Sequence, residues 1–243
     1  MTKDTQKKIL ILSDHFEMVN FVSSLLTNKG RDFDIKFTDP NLKSKKVNGL
    51  VWHHVNLNNK HEITKIVDSY CLIISAHCKA IFPAGLTENI KCINIHPGFN
   101  PDNRGMFPQV FAILNNKKFG ATIHEMTKVI DGGPIISQAE VPINFDDTSY
   151  KLYQKVINLE KKILEDNIDQ ILEGIYETMV PAKGNYNSLK DFRELCVLNP
   201  EDVNTFENHI NILRALTHPP FANSIIEIGG EKYSINVEIK KLQ

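Results

Sequence analysis

Cysteine is scarce in this sequence and follows no metal-binding or disulfide spacing. The 243 residues include four cysteines, Cys71, Cys78, Cys92 and Cys196, and no two of them form a Cys-x-x-Cys pair. Zinc ribbons and disulfide frameworks both depend on regular cysteine spacing. We therefore expect reduced, mostly buried thiols, as in a cytosolic protein.

Long apolar runs are also absent. No stretch approaches the roughly twenty apolar residues that a membrane span requires. The first eight residues, Met-Thr-Lys-Asp-Thr-Gln-Lys-Lys, are polar and have no apolar segment behind them. The sequence therefore predicts a cytoplasmic protein with no membrane partner.

Neither sign of charge is in excess, because 28 Lys and Arg residues face 29 Asp and Glu residues, for a net charge of -1. Such a chain has no overall attraction to nucleic acid or to anionic lipid. Any anionic substrate must be held by locally placed cations. We expect no nucleic-acid partner.

The glycine signature of dinucleotide sites is missing too. No Gly-x-Gly-x-x-Gly follows the first predicted strand, Lys8–Leu12. A dehydrogenase function thereby loses its main support.

Strand-like and helix-like segments alternate along the chain. Short apolar runs at 8–12, 34–37, 50–55, 71–76 and 92–96 predict strands, and helical periodicity predicts helices at 16–27, 61–67, 107–114 and 148–173. This alternation predicts an α/β fold with a mostly parallel, Rossmann-like sheet and helices on both of its faces. Ligands of such sheets bind beyond the carboxyl ends of the strands.

The composition changes after about residue 183, where loop-like Gly-Asn-Tyr-Asn precedes short helical stretches and a hairpin signal over Gly229-Gly230. We expect a large α/β domain over residues 1–183. Residues 184–243 are expected to form a small helix and β-hairpin unit that serves substrate binding or dimerisation.

Three polar side chains stand out at one predicted strand end. Asn94 and His96 lie two apart before Pro97-Gly98, so they project from the same face of the strand. An amide can donate to a developing oxyanion, and an imidazole can move a proton as an amine attacks a carbonyl. Asp131, followed by two glycines, is the candidate carboxylate to orient the imidazole. Each residue alone is weak evidence; the ordered combination is specific.

The order Asn-Ile-His-Pro-Gly (from Asn94), Asn-Arg-Gly, Pro-Gln, Gly-Ala-Thr-Ile-His and Asp131-Gly-Gly-Pro-Ile-Ile resembles the active site of the folate-dependent formyltransferases. The resemblance implies that Asn94, His96 and Asp131 are the catalytic residues. It also implies that the co-substrate is 10-formyltetrahydrofolate and that no metal is required. Asn94 and protonated His96 would stabilise the tetrahedral oxyanion, and Asp131 would fix the imidazole.

The resemblance also points to binding residues. The family loop that holds the pterin implies cofactor contacts through the backbone of residues 126–131, including Met126, Ile130 and Asp131. His77 and Lys79 follow the strand at 71–76, where Lys79 would meet a pyrophosphate or the folate glutamate; a strand-end histidine and a solvated lysine are the alternative reading. Substrate contacts are expected from Lys79 and from four residues further along the chain, Arg104, Gln109, Asn185 and Phe221. For Phe221, stacking on thymine and a core position are both open.

Three segments look like those of the dTDP-sugar N-formyltransferases that act on amino-dideoxy-hexoses, and they begin at Ser75, Asn103 and Arg214. Met106 departs from the aromatic expected in that subgroup. Transfer-RNA formylation is disfavoured because residues 186–243 hold six Lys and Arg against eight Asp and Glu, a poor clamp for phosphates. The resemblance implies a dTDP-amino sugar substrate, favouring dTDP-4-amino-4,6-dideoxyglucose, a place in surface polysaccharide or O-antigen synthesis, and a homodimer.

Other functions on this scaffold stay open. The acceptor could be a 3-amino sugar, a UDP-amino sugar or glycinamide ribonucleotide. A 10-formyltetrahydrofolate hydrolase would release formate without any acceptor, and a binding protein that has lost catalysis would bind the ligands without turnover.

Overall fold

The computed structural model describes residues 7–242. Helices and strands alternate through its first two thirds, as the sequence predicts. The helices are α1 Phe16–Asn28, α2 Lys60–Ser69, α3 Ala84–Thr87, α4 Pro108–Asn115, α5 Ser149–Glu173, α6 Leu189–Leu195 and α7 Phe206–Leu216. The strands are β1 Lys8–Leu12, β2 Phe33–Phe37, β3 Lys45–Val47, β4 Leu50–His54, β5 Tyr70–Ala76, β6 Lys91–His96, β7 Arg104–Gly105, β8 Phe119–Glu125, β9 Ile135–Val141, β10 Tyr186–Asn187, β11 Val197–Leu198, β12 Ile225–Ile228 and β13 Glu231–Ser234.

The main sheet has eight strands in the order β3-β4-β2-β1-β5-β6-β8-β9. Five neighbouring strands, β4, β2, β1, β5 and β6, run parallel. Two strands pair antiparallel, β3 with β4 and β8 with β6. The prediction of a mostly parallel sheet flanked by helices is confirmed, and the carboxyl ends of β1, β2, β5 and β6 meet at one edge.

The described chain divides into two compact units. The first comprises the residues up to His96 together with 122–137 and 161–181. Strand β1 reads Lys-Ile-Leu-Ile-Leu, and its last four residues are all buried, as expected of a central parallel strand covered on both faces. Helix α1 buries Met18, Val22 and Leu26 at helical spacing, which makes one apolar stripe.

The second unit comprises residues 97–121 and 138–160 and the chain from residue 182 onward. Its hairpin joins β12 to β13 antiparallel through Gly229 and Gly230. Both glycines have positive φ angles, 60° and 85°, as a type I′ turn requires. The hairpin over Gly229-Gly230 is therefore confirmed, and its second strand ends at Ser234. The domain boundary at residue 183 stays a prediction.

The cysteine prediction needs one correction. All four cysteines are free thiols, but only Cys92 is buried; Cys78 and Cys196 are partly exposed and Cys71 is exposed. Cys71 is the second residue of β5, and it is exposed between the buried residues Tyr70 and Leu72. Among residues 7–242, no helix combines the length and apolarity needed to cross a bilayer.

Candidate active site

Strand β6 presents Asn94 and His96 on one face, as the alternation of strand side chains predicts. Ile93 and Ile95, on the other face, are fully buried in the core. On the neighbouring antiparallel strand β8, His124 lies directly opposite Asn94. Three polar side chains therefore meet at the end of β6, at the sheet edge where folds of this class generally bind ligands.

Asp131 comes to this strand end on a short loop that follows β8. The loop is closed at its base by a hydrogen bond from the Glu125 N–H to the Pro134 carbonyl at 2.9 Å. A Cβ at Gly133 would lie 1.8 Å from the Glu125 carbonyl oxygen, so this position admits only glycine without a backbone shift. Asp131 itself has a φ of 49°, the left-handed region that Asp and Asn tolerate best. The loop backbone thus holds the carboxylate in place.

The structure brings the three predicted catalytic side chains together. The Asn94 amide nitrogen Nδ2 donates to Asp131 Oδ1 at 3.4 Å. His96 Nδ1 lies 3.7 Å from the same oxygen. That distance exceeds a direct hydrogen bond, and the contact becomes an ion pair only when the imidazole is protonated. Asp131 therefore acts on His96 through its charge in this arrangement.

His124 is a fourth member of the cluster that sequence reasoning did not identify as a site residue. Its Nδ1 lies 2.8 Å from the Glu125 carbonyl oxygen, which can only accept, so Nδ1 carries the proton. In the neutral ring Nε2 is then an acceptor, 3.3 Å from Asn94 Nδ2, and it lies 3.6 Å from Asp131 Oδ1. The sequence signal was the Gly-Ala-Thr-Ile-His motif, which ends at His124. The motif does not show that β8 pairs antiparallel with β6 and places His124 opposite Asn94.

The electrostatics of His96 favour its neutral form. Burial lowers the pKa of this imidazole; the negative charge of Asp131 opposes the change, and His124 and His77 add to it. Only 5% of the residue is exposed, and Nε2 has no hydrogen-bond partner among residues 7–242. A buried neutral imidazole with one uncommitted nitrogen can take a proton from a bound substrate.

His77 and Lys79 follow β5 on the same edge of the sheet. His77 has a left-handed φ of 54°. Lys79 Nζ forms an ion pair with Asp39 Oδ2 at 2.7 Å, and this hydrogen bond is the main cause that lowers the pKa of Asp39 to about 2. The Lys79 side chain is 68% exposed, so the ammonium already has a counterion and still faces solvent.

Two of the expected pterin contacts lie on the loop that carries Asp131. The Met126 N–H is already used, because it donates to the Cys92 carbonyl at 2.8 Å, and the Met126 side chain packs against the buried core. Ile130 is 39% exposed. A backbone contact from this loop to the pterin would therefore come from residues after Met126 or from carbonyl groups.

The remaining predicted substrate residues belong to the second unit. Arg104 lies on β7, whose partner strand β10 follows Asn185. Asn185 is engaged within the chain: its Oδ1 accepts from the Asn103 N–H at 2.9 Å and from Lys117 Nζ at 3.2 Å, and its Nδ2 donates to Asn103 Oδ1 at 2.8 Å. The side chain thus fixes the loop before Arg104.

Gln109 and Phe221 have opposite environments. Gln109 is 4% exposed at the start of α4. Phe221 is 61% exposed, with its ring 6.0 Å from that of His218. A core position for Phe221 is therefore wrong, and its ring is accessible for stacking. Met106, at the position where an aromatic was expected, is 39% exposed.

Comparison with known proteins agrees with the site geometry. Residues 11–168 match the formyl transferase family, and residues 191–241 match the N-formyltransferase dimerization C-terminal domain family. A dTDP-4-amino-4,6-dideoxyglucose formyltransferase of Mycobacterium tuberculosis is 42% identical over 180 residues, which cover 73% of this chain and 77% of the relative.

Two solved structures are similar in fold. A sugar N-formyltransferase from Shewanella superposes with a TM-score of 0.90 and 38% identity, covering 98% of this chain and 99% of that one. The formyltransferase PseJ from Anoxybacillus kamchatkensis, solved in complex with UDP-4,6-dideoxy-4-formamido-L-AltNAc and tetrahydrofolate, has a TM-score of 0.60 and 25% identity, covering 77% of this chain and 88% of that one. With its Asn94, His96 and Asp131 cluster and these matches, the chain belongs to the formyl transferase family and is an N-formyltransferase.

Proposed function

We propose that this protein transfers a formyl group from 10-formyltetrahydrofolate to the amine of a dTDP-linked amino-dideoxy sugar, with dTDP-4-amino-4,6-dideoxyglucose as the favoured acceptor. The observation that carries the proposal is the cluster of buried His96 with partly exposed Asn94 and Asp131, in which His96 Nε2 is uncommitted among the described residues. The mycobacterial relative supports the choice of sugar and nucleotide.

The cluster supplies what formyl transfer needs. The neutral amine attacks the formyl carbon, a new C–N bond forms, and the bond from that carbon to N10 of the folate breaks. His96 accepts the amine proton and returns one to the departing folate nitrogen, so the imidazole ends neutral. The Asn94 amide donates to the oxyanion, and Asp131 stabilises His96 while it is protonated.

The co-substrate fits the donor set. The uncommitted, buried Nε2 of His96 is a polar atom that a ligand has to satisfy, because a buried donor or acceptor without a partner is costly. We assign His77, Lys79, Met126, Ile130 and Asp131 to the folate side of the site. As acceptor contacts we propose Lys79, Arg104, Gln109, Asn185 and Phe221.

The residues from 184 to 243 are proposed to form the subdomain through which two copies associate, and residues 1–183 the catalytic domain. Large apolar side chains are exposed in this tail, including Val203 at 95%, Phe206 at 81% and Val197 at 70%. Solvent-exposed apolar groups of this size typically mark an interaction surface. The match to a dimerization family supports a homodimer. We place the product in surface polysaccharide or O-antigen synthesis.

A formyl-transfer assay tests the function. The purified protein is incubated with 10-formyltetrahydrofolate and a panel of dTDP- and UDP-linked 3-amino and 4-amino sugars, and product mass and tetrahydrofolate release are measured together. We expect a mass gain of one formyl group on the dTDP-4-amino sugar. The His96→Ala variant, purified in the same way, is the control for contaminating activity. Tetrahydrofolate release without a formylated sugar would replace the proposal by a hydrolase, and a product on another sugar would replace the acceptor.

A further inference from the structure

One carboxylate outside the catalytic cluster ties three strand ends together. Asp14 lies two residues after the end of β1. Its Oδ1 accepts from the backbone N–H groups of Thr38 at 2.6 Å and Asp39 at 2.9 Å, both just beyond β2. Its Oδ2 accepts from Thr38 Oγ1 at 2.7 Å and from the backbone N–H of Lys79 at 2.6 Å, beyond β5. Short bonds from N–H groups to a carboxylate are the strong kind.

The turn after β5 depends on this carboxylate. The Asp14 backbone N–H donates to the His77 carbonyl at 3.3 Å, so Asp14 binds the turn at residue 77 through its backbone and at residue 79 through its side chain. His77 has a φ of 54°, a left-handed conformation that is uncommon for residues other than glycine. Such a conformation persists only where its surroundings hold it. The two Asp14 contacts flank the strained residue and provide that restraint.

The restrained turn stands next to the strand end that carries His96. In the parallel pair of β5 and β6, Ala76 lies opposite Ile95, so the next residues, His77 and His96, leave the two strands side by side. All of these residues belong to the first unit. His77 is one of three groups that act on the charge of His96, together with Asp131 and His124 of the β8 side.

We propose that Asp14 is a positioning residue of this enzyme: by holding the turn at residues 77–79, it keeps His77 beside His96 and keeps the catalytic imidazole buried. Its effect on catalysis rests on the formyl transfer proposed above. Its effect on the environment of His96 does not.

The substitution Asp14→Asn tests this role with little change in size. Each carboxylate oxygen accepts a backbone N–H, from Thr38 and Asp39 on one side and from Lys79 on the other. An amide has a single acceptor atom, so in either orientation its NH2 group opposes a backbone N–H. The control is Thr38→Val, which removes the hydroxyl bond to Asp14 and a 3.3 Å contact of the same hydroxyl with Cys78 Sγ, and leaves all three backbone donors to Asp14 in place.

The His96 ring is then titrated by NMR without any substrate, with its signals assigned from the spectrum of His96→Gln. We expect Asp14→Asn to raise the pKa of His96 toward its ordinary value, because the loosened turn no longer excludes water and no longer holds His77 beside His96. We expect Thr38→Val to leave the pKa of His96 unchanged. A second variant, His77→Asn, keeps a residue that tolerates the left-handed turn and removes the imidazole, so it should also raise the pKa of His96. It serves as the test if Asp14→Asn does not fold.

The formyl-transfer rate provides the second measurement. We expect Asp14→Asn to lower kcat/KM about tenfold, which corresponds to about 1.4 kcal/mol, with Thr38→Val within about twofold of the parent, as for changes away from a site. An unchanged His96 titration in folded Asp14→Asn, or in His77→Asn when the first variant does not fold, would overturn the proposal, as would equal losses in Asp14→Asn and Thr38→Val. If the parent formylates no sugar, the proposed function fails, and the NMR titration still decides the role of Asp14.

Discussion

Asp14 and Asp131 are two carboxylates of the same unit that lie beyond strand ends, and the chain uses them differently. Asp14 accepts four hydrogen bonds of 2.6–2.9 Å, three of them from backbone N–H groups. Asp131 Oδ1 lies 3.4–3.7 Å from the side-chain nitrogens of Asn94, His96 and His124. The short backbone contacts of Asp14 fix a loop, whereas the longer contacts of Asp131 Oδ1 join it to the side chains of the candidate site. In apo structures catalytic contacts are often long and tighten only with substrate bound.

The largest loss of activity should come from substitution of His96, the imidazole beside Asp131. His96→Ala removes the proton acceptor, and general acid–base catalysis is worth about 10²- to 10⁴-fold in rate. We expect a loss of kcat/KM in this range with the unfolding temperature little changed, measured with the best acceptor of the sugar panel. A variant that retains more than about a tenth of the parent activity would remove His96 from the proton-transfer role.

Asn94→Ala is expected to cause the next largest loss of activity. Loss of one donor to a developing oxyanion typically costs about 10²- to 10³-fold in kcat. The effect should appear in kcat rather than in KM, because the charge that the amide stabilises develops only in the transition state. Steady-state kinetics on both substrates measure the split. A change confined to KM would instead assign Asn94 to substrate binding.

Asp131→Asn tests whether the carboxylate acts through its charge. Asparagine tolerates the left-handed backbone at this position, so the loop should keep its shape. Because Asp131 raises the pKa of His96 against the effect of burial, the substitution should lower that pKa further. We expect kcat to fall on the order of a hundredfold, the lower end of acid–base effects.

An exposed carboxylate gives the control for Asp131. Asp169 pairs with Lys29 at 2.6 Å, and its side chain is 67% exposed, so Asp169→Asn should leave activity unchanged. If Asp131→Asn does not lower the pKa of His96 in an NMR titration, the two side chains are not coupled by charge.

Gly133→Ala tests the loop rather than the carboxylate. The added Cβ would lie 1.8 Å from the Glu125 carbonyl oxygen, a backbone atom that cannot rotate away. We expect a loss of about 1–3 kcal/mol of stability, as for overpacking, and a displaced Asp131 with reduced activity. Thermal unfolding measures the first effect. Gly85→Ala is the matched control, because its nearest neighbour is a side-chain methyl at 3.5 Å.

The fold could be predicted from the sequence because local patterns encode the strands and helices, and the cluster of Asn94, His96 and Asp131 could be predicted from a strand pattern together with the family resemblance. The apolar run into Asn94 and His96 gave both the strand and the shared face, and the alternation of segments gave the parallel sheet. The order of the family motifs predicted Asp131 as a member of the same site. Each of these signals extends over a few neighbouring residues or over a family pattern.

His124 and Asp14 were missed because their partners depend on the order of strands in the sheet. His124 meets Asn94 only because β8 pairs antiparallel with β6, and Asp14 meets Thr38 and Lys79 only because β1 lies between β2 and β5. No local pattern specifies which strands become neighbours. The exposure of Phe221 likewise depends on tertiary packing, which a run of two prolines and a phenylalanine does not encode.

His124→Gln should have the smallest effect on activity of these site substitutions. Its effect on the pKa of His96 should be opposite in sign to that of Asp131→Asn. His124 lowers the pKa of His96, whereas Asp131 raises it, so removing the second imidazole should raise this pKa. The glutamine amide can still bond to Asn94, and we expect kcat/KM to fall only about tenfold, equivalent to about 1.4 kcal/mol. NMR titration of His96 in Asp131→Asn and in His124→Gln measures the direction of both pKa shifts. Shifts of the same sign would mean that burial changes, and not the charges of Asp131 and His124, govern the catalytic imidazole.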